Sequence, residues 1–301
     1  MKVFRGHVAV ITGAASGLGR AFARKAAALE MRLVLADIDI VALQQIAREL
    51  SSNGTEVLAL PCDVSRAEQV QTLADAAISR FGCVHLLFNN AGVGAGGLIW
   101  ENSAADWEWL LGVNLFGVIH GVRIFTPLML QASKSDAAYC GHIVNTASVA
   151  GLQNAPTMGI YNVSKHAVVS LTETLYQDLA LIEAPVGVSL LCPYFVPTAI
   201  HASARNRPDR DTVSLTVSQR TAQAFSEKAV QAGKVSAAQF ADMTFDAVRE
   251  NRFYVYSELE PLEHARLRME DLINASNPRD PYAQIPHVRE MLRDRLKNGD
   301  I

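Results

Sequence analysis

Seven short apolar runs recur along the 301-residue chain: HVAVIT, RLVLAD, VLALPC, HLLFNN, HIVNTA, GVSLLC and RFYVYS. They lack the polar alternation of a half-solvated strand, so each is expected to be a strand buried on both faces. Segments between them, such as AFARKAAALE and AEQVQTLADAAISRF, carry helical patterns. Repeated βα units joined by right-handed crossovers give a doubly wound, mostly parallel α/β sheet with helices on both faces. Its ligand crevice lies at the carboxyl ends of the strands.

The first βα junction, VITGAASGLGRAF, puts Gly13, Gly17 and Gly19 between a strand and a helix. Free backbone N–H groups at such a helix start suit a diphosphate, and small residues allow its close approach. The second strand ends in VLADID, so Asp37 falls about 20 residues beyond the triplet, where a carboxylate accepts from adenosine ribose hydroxyls and repels a 2′-phosphate. Capping the next helix is the other role open to Asp37, and Asp39 is equally placed for it.

Composition narrows the field. With 50% hydrophobic and 19% charged residues and a net charge of −3, and no run of Lys or Arg, the chain has no electrostatic footprint for nucleic acid or an anionic membrane. Cys62, Cys83, Cys140 and Cys192 show no CxxC spacing and read as free thiols in a reducing compartment. The eight histidines contain no His-x-x-x-His pair, and no metal site is expected. The apolar run before Gly13 is too short for a signal sequence and no stretch reads as membrane-spanning, so the protein is expected to be cytoplasmic.

In IYNVSK, Tyr161 and Lys165 stand at i and i+4 and share a helix face. His166 falls about 100° away from that face. Together with Thr12-Gly13-x-x-x-Gly17-x-Gly19, the NNAG of Asn89 to Gly92, Asn114 and Ser148, this pair resembles the short-chain dehydrogenase/reductase family over roughly residues 5 to 257. The resemblance implies a Rossmann-type fold, NAD as cofactor with NADP less favoured, and interconversion of a secondary alcohol and a ketone. It also implies a catalytic set of Asn114, Ser148, Tyr161 and Lys165. In the family pattern, the residue matching Asn114 kinks a helix and holds a water joining the lysine to solvent.

The cofactor shell implied by the resemblance begins with Gly13, Ser16, Gly17, Leu18 and Gly19 and continues with Asp37 and Ile38. Asp63 and Val64 would flank the adenine, and Asn90, Ala91 and Gly92 the adenosine side. Tyr161, Lys165, Pro193, Phe195, Val196 and Thr198 complete the shell, with Thr198 matching the carboxamide-binding position. The basic residue that an NADP enzyme would want is absent, since Ser16 and Ile38 occupy its places.

Oxidising an alcohol requires a base at its oxygen, and Tyr161 is the candidate. A free phenol titrates near pH 10, and lowering that by about three units needs roughly 4 kcal/mol, the attraction of one unit charge at about 4 Å in an effective dielectric near 20. Lys165 is expected to supply it. Ser148 is read either as the group that hydrogen-bonds the substrate oxygen or as a helix cap, and Asn114 either as the fourth catalytic residue or as a buried amide satisfied by backbone.

Two features depart from the family pattern. Pro193-Tyr194 stands where Pro-Gly is usual, placing a large ring beside the nicotinamide position. Residues 258–301 extend beyond the catalytic domain of residues 1–257 as a helical tail, either packed on the surface or capping a site. Residues 199–235 are read as a substrate lid, and Val149, Gln153, Tyr194 and His201 as substrate-pocket residues. Met269 and Tyr282 in the tail are read as packing. The segments NLFGVIHGVRIFTPLMLQ and AVVSLTETLYQDLALI are apolar beyond one stripe, so helices starting near Asn114 and Tyr161 are expected to pair between subunits in a homodimer or homotetramer. A small-molecule alcohol or ketone is the expected partner, and a non-catalytic dinucleotide sensor on the same fold is the reading from another class.

Overall fold

The computed structural model describes residues 1–208 and 214–298. All seven expected strands form, in one wholly parallel sheet of order β3-β2-β1-β4-β5-β6-β7. They are β1 (Val8–Thr12), β2 (Arg32–Asp37), β3 (Val57–Pro61), β4 (Leu86–Asn89), β5 (Gly141–Thr146), β6 (Val186–Cys192) and β7 (Tyr254–Tyr256). Helices α1 (Gly17–Ala28), α2 (Ile40–Ser52) and α3 (Ala67–Phe81) follow the first three strands. Order reverses between β1 and β4, which opens the crevice where both strands end.

The side-chain period of two explains why the strand runs are apolar throughout. Ala9 and Ile11 pack with Phe22 of α1 and Phe240 and Phe245 of α8 (Ala237–Glu250) on one face. Val8 and Val10 pack with Leu73 of α3 and Phe125 of α5 (Gly117–Ser135) on the other. Both sets are fully buried, so neither face of the sheet could carry a polar alternation.

Two expectations about helices need correction. The helix expected to begin near Asn114 begins at Ala104 as α4 (Ala104–Leu111), passes through a π-helical turn at Gly112–Phe116, and continues as α5. Ser103 and Asp106 form a reciprocal capping box at its start, a Ser-x-x-Asp signal readable in the sequence. The continuous helix Ala104–Ser135 is also long and apolar enough to cross a membrane by length and composition, with a mean hydropathy of 1.5 over its best window, contrary to the expectation that no stretch was. Its sheet-facing side is spoken for by packing against β4 and α3.

The second long helix, α6 (Gly159–Leu181), carries Tyr161 and Lys165 in its first turns. After β6 the chain forms a 3₁₀ turn at Ile200–Asn206 and then α7 (Val217–Gln231). The part of the expected lid at residues 209–213 lies outside the described residues. Beyond β7 the tail forms α9 (Leu262–Ile273) and α10 (Pro286–Asn298), with α10 packed on α7.

Candidate active site

Thr12 closes the crevice floor at the end of β1. Its hydroxyl donates to Phe88 O (3.1 Å) and accepts from Asn90 N (2.9 Å) and Ala91 N (3.1 Å), while Asn90 Nδ2 donates to Thr12 O (3.0 Å). The ends of β1 and β4 are thereby stitched into one surface. Gly13 follows with φ +66°, and a Cβ there would sit 2.8 Å from Ala91 Cα. At Gly19 a Cβ would fall 2.0 Å from Gly13 O, so this glycine lets the helix pack under the turn and does not itself line the cavity.

A cavity of about 570 Å³ opens above this turn. Ser16 is the N-cap of α1 but makes no side-chain capping bond, so the helix start is left to another acceptor. Asp37 lines the same cavity, its Oδ2 accepting from Ala15 N and its Oδ1 from Asp39 N, both at 2.9 Å. It does not cap α2; Asp39 does, accepting from Ala42 N at 3.0 Å. Burial pushes the Asp37 carboxyl up, opposed by those backbone donors. No ion pair to Asp37 occurs among the described residues. Asp63, held by Ser65 N (3.0 Å) and Ser65 Oγ (2.7 Å), lines the far end with Val64. The uncapped helix start, the Cβ-free turn and the inward carboxylate fit the diphosphate and ribose of a dinucleotide.

Ser16, Gly17, Leu18, Ile38, Asn90, Ala91, Gly92, Tyr161, Lys165, Pro193 and Thr198, all of the expected cofactor shell, also line this cavity. Phe195 and Val196 do not: they line a second cavity of about 350 Å³ behind it. The turn from Pro193 to Thr198 runs between the two cavities and divides its side chains among them. Arg66 and Arg205 add to the first cavity's wall without having been anticipated.

The second cavity receives Val149, Gln153, Tyr194 and His201, the four expected pocket residues. His201 Nδ1 has no hydrogen-bond partner among the described residues. Tyr282 lines the same cavity, which corrects its reading as simple packing. Asp106 of α4 and Arg207 form a buried ion pair on its wall, joined by Gln219 Nε2 at 3.2 Å and covered by Trp109, whose ring lies 5.4 Å below the guanidinium. That pair ties the segment after β6 to α4. Arg207 sits in the polar lid segment with nothing nearby in sequence to mark its partner, whereas the capping box flags Asp106.

The four expected catalytic residues converge where the cavities meet. Ser148 Oγ donates to Pro193 O (3.3 Å), accepts from Ala150 N (3.2 Å) and hydrogen-bonds the Tyr161 phenol, so it caps a 3₁₀ turn and faces the reacting group at once. Lys165 is 3% exposed; its Nζ donates to Thr146 O (2.9 Å) and lies 5.6 Å from the Tyr161 ring centre. Asn114 sits in the π-helical turn, its Oδ1 accepting from Val93 N (2.8 Å) and its Nδ2 donating to Val93 O (3.0 Å) and Ser164 Oγ (3.2 Å). A Cβ on Gly92 would come 3.5 Å from Asn114 Oδ1 and 3.7 Å from Lys165 Nζ, so both residues crowd the same glycine.

Electrostatics here differ from the expectation. Burial pushes the Tyr161 phenol up to about 12, opposed by Ser148, and pushes Lys165 down to about 8. Desolvation therefore dominates at the phenol, while Lys165 directs its ammonium at the Thr146 carbonyl.

With this geometry in place, comparison with known proteins is informative. The sequence profile of short chain dehydrogenases matches residues 7–209. A solved short chain dehydrogenase/reductase from Burkholderia phymatum, in complex with NAD, is 55% identical with a TM-score of 0.90, covering 93% of this chain and 99% of its own. A CLA biosynthesis dehydrogenase/reductase from Lactiplantibacillus plantarum is 34% identical, over 89% of this chain and 94% of that protein. A C alpha-dehydrogenase from a Sphingobium species is 29% identical, over 99% of this chain and 97% of its own.

Proposed function

Because this chain belongs to the short-chain dehydrogenase family, we propose that it is an NAD-dependent oxidoreductase interconverting a secondary alcohol and a ketone, with Tyr161 carrying the proton. The observation behind this reading is the position of Tyr161: of the four candidate residues it alone lines both cavities, while Lys165 lines the first and Ser148 the second. A group shared by two cavities can act on a substrate in one that reacts with a cofactor in the other.

Bound NAD would supply the acceptor or donor of the hydride. The amides around Gly13 to Gly19 and the Asp37 carboxylate would hold it, and the Asp37 charge, which has no ion-pair partner among the described residues, favours NAD over NADP. Relatedness to a protein solved with NAD supports the same choice. Ser148 orients the substrate oxygen toward the phenol. With its phenol at about 12, Tyr161 is protonated near neutrality and ready to donate to a ketone oxygen; in the reverse direction it must first lose that proton, so alcohol oxidation should accelerate with rising pH. Lys165 favours the phenolate through its charge, and Asn114 fixes the backbone at Val93 beside it.

Tyr161→Phe tests this reading. The variant should fold and bind NAD as the parent does while turnover falls by about 10²–10⁴, the usual contribution of a proton carrier. Near-normal turnover would remove Tyr161 from the role.

We further propose self-association through α5 and α6. Phe116 at the start of α5 and Val163, Tyr176 and Leu181 on α6 are exposed, Leu181 by 83%. The tail leaves them uncovered, although Arg268 of α9 approaches His166. Light scattering that finds a monomer would refute this interface. Four free thiols suit a cytoplasmic setting.

A further inference from the structure

The two departures from the family pattern meet in space. Tyr194, which replaces the usual glycine, and Tyr282, which arrives from the C-terminal tail, line the same cavity. Burial pushes the Tyr282 hydroxyl up, and the nearby Tyr194 phenol adds to that. Tyr194 is held from behind, where its N–H donates to Ser257 Oγ at 3.0 Å.

Tyr282 reaches this wall because the tail is braced. Asp271, 7% exposed, accepts from Arg279 N (3.0 Å) and Arg279 Nε (2.7 Å), which folds the segment after α9 back on itself. Asp280 pairs with Arg289 of α10 at 3.1 Å and accepts from Tyr282 N at 3.0 Å. Leu292 buries itself as α10 packs on α7, whose own residues Phe225 and Val230 line the cavity. The tail therefore backs the lid helix and passes one aromatic ring around it.

The chemistry of the remaining wall defines what fits. Trp109, Val149, Met158, Phe195, Ile200 and Phe225 are apolar or aromatic. The charged groups among the described lining residues, Asp106 and Arg207, neutralise each other in their ion pair. A substrate carboxylate or ammonium would lose its hydration with only His201, among the described lining residues, left to offset its charge. At about 350 Å³ the space lies within the usual range for drug-sized ligands, about 300–1,000 Å³, and a four-carbon alcohol would leave most of it empty.

We propose that the substrate is an uncharged secondary alcohol or ketone with a bulky apolar body, and that Tyr282 of the tail, against Tyr194, forms the wall that selects for that body. This rests on the dehydrogenase reading above for the position of the reacting oxygen. Tyr282 is a specificity-determining residue and takes no part in the proton transfer.

The test measures binding separately from turnover. Calorimetry on the full chain with saturating oxidised NAD, with which a ketone cannot react, compares 2-butanone, 2-decanone and levulinate, and turnover of the corresponding alcohols is followed by cofactor absorbance. Affinity should rise roughly threefold for each added methylene, and levulinate should bind more weakly than 2-butanone. Tyr282→Ala should lose about tenfold in affinity for 2-decanone and less than about twofold for 2-butanone, with NAD affinity unchanged as the control for folding. Tyr282→Phe should behave as the parent, since the ring and not the hydroxyl forms the wall. Equal or tighter binding of 2-butanone or levulinate, an equal loss on both ketones in Tyr282→Ala, or a loss in Tyr282→Phe would overturn the proposal. If 2-decanone binds as expected but no alcohol is oxidised, the dehydrogenase reading fails and the cavity assignment stands; if 2-butanol or the hydroxy acid is the better substrate, the reverse holds.

Discussion

The sheet with the helices packed on it, β7 and α8 included, and the other segments that follow Pro193, α7 and the C-terminal tail, are built on different principles. In the first, strands and helices bury apolar residues on both faces of one sheet, and buried polar side chains such as Thr12, Asn89, Asn145 and Asn114 hydrogen-bond to backbone or to other buried side chains. Within the second, α9 and α10 bury only Asp271 and Leu292, and ion pairs do much of the positioning. An over-determined scaffold holds the groups that need sub-ångström placement, whereas a lightly buried lid and tail change shape and lining at small cost to folding. The proposed chemistry belongs to the first of these and the proposed choice of substrate to the second.

Removing the tie between the two should have the largest effect on stability. Asp106→Ala deletes the carboxylate shared by Arg207, Gln219 and the Ser103 backbone, at about 3–5 kcal/mol, the usual cost of removing one half of a buried ion pair. Hydrogen exchange should show the loss in residues 200–230 and leave the strand amides protected. Uniform loss across the sheet would mean that the two are one cooperative unit.

Lys165→Met should change stability in the opposite direction. Burial lowers the lysine from its ordinary 10.5 to about 8, which corresponds to a penalty of up to about 3 kcal/mol at neutral pH. The unfolded chain binds more protons than the folded one between those values, so this group makes the parent more stable as pH rises from about 8 to 10.5. Tyr161, raised from 10.0 to about 12, acts oppositely: its contribution is present below pH 10 and lost as pH rises toward 12. Thermal melts of the cofactor-free variant at pH 7 should therefore lie above the parent, with turnover strongly reduced. A lower melting temperature would show that the Thr146 contact outweighs desolvation.

Asp37→Ala should have a smaller effect, narrowing the preference for NAD over NADP by about 1–3 kcal/mol. Titration of both cofactors measures it. An unchanged preference would show that the Asp37 carboxylate does not select the cofactor.

The same division governs what was legible in the sequence. Period-two burial with no solvent face makes a parallel-sheet strand visible as an unbroken apolar run, and every run became a strand. The pairing of Tyr161 with Lys165 on one helix face and the glycine turn before α1 were legible because helix period and turn geometry act over short separations. The start of the long helix at Ala104 was overlooked although Ser103 and Asp106 marked it. Other contacts left no local signal. Arg207 meets Asp106 across 101 residues, Lys165 binds a carbonyl that any residue could supply, and Tyr282 reaches the cavity only because Asp271 folds the tail back. The raised phenol was also out of reach, since desolvation depends on packing around Tyr161 and not on its spacing from Lys165.

One measurement tests the division most directly: kcat/KM for 2-butanol and 2-decanol in the parent, Tyr161→Phe and Tyr282→Ala. Tyr161→Phe should lower both values by the same factor, about 10² or more, leaving discrimination intact, while Tyr282→Ala should lower only the 2-decanol value, by about tenfold. A Tyr282→Ala variant that loses equally on both alcohols, or a Tyr161→Phe variant that spares either one, would contradict the assignment of chemistry to the sheet and its helices and selection to the lid and tail.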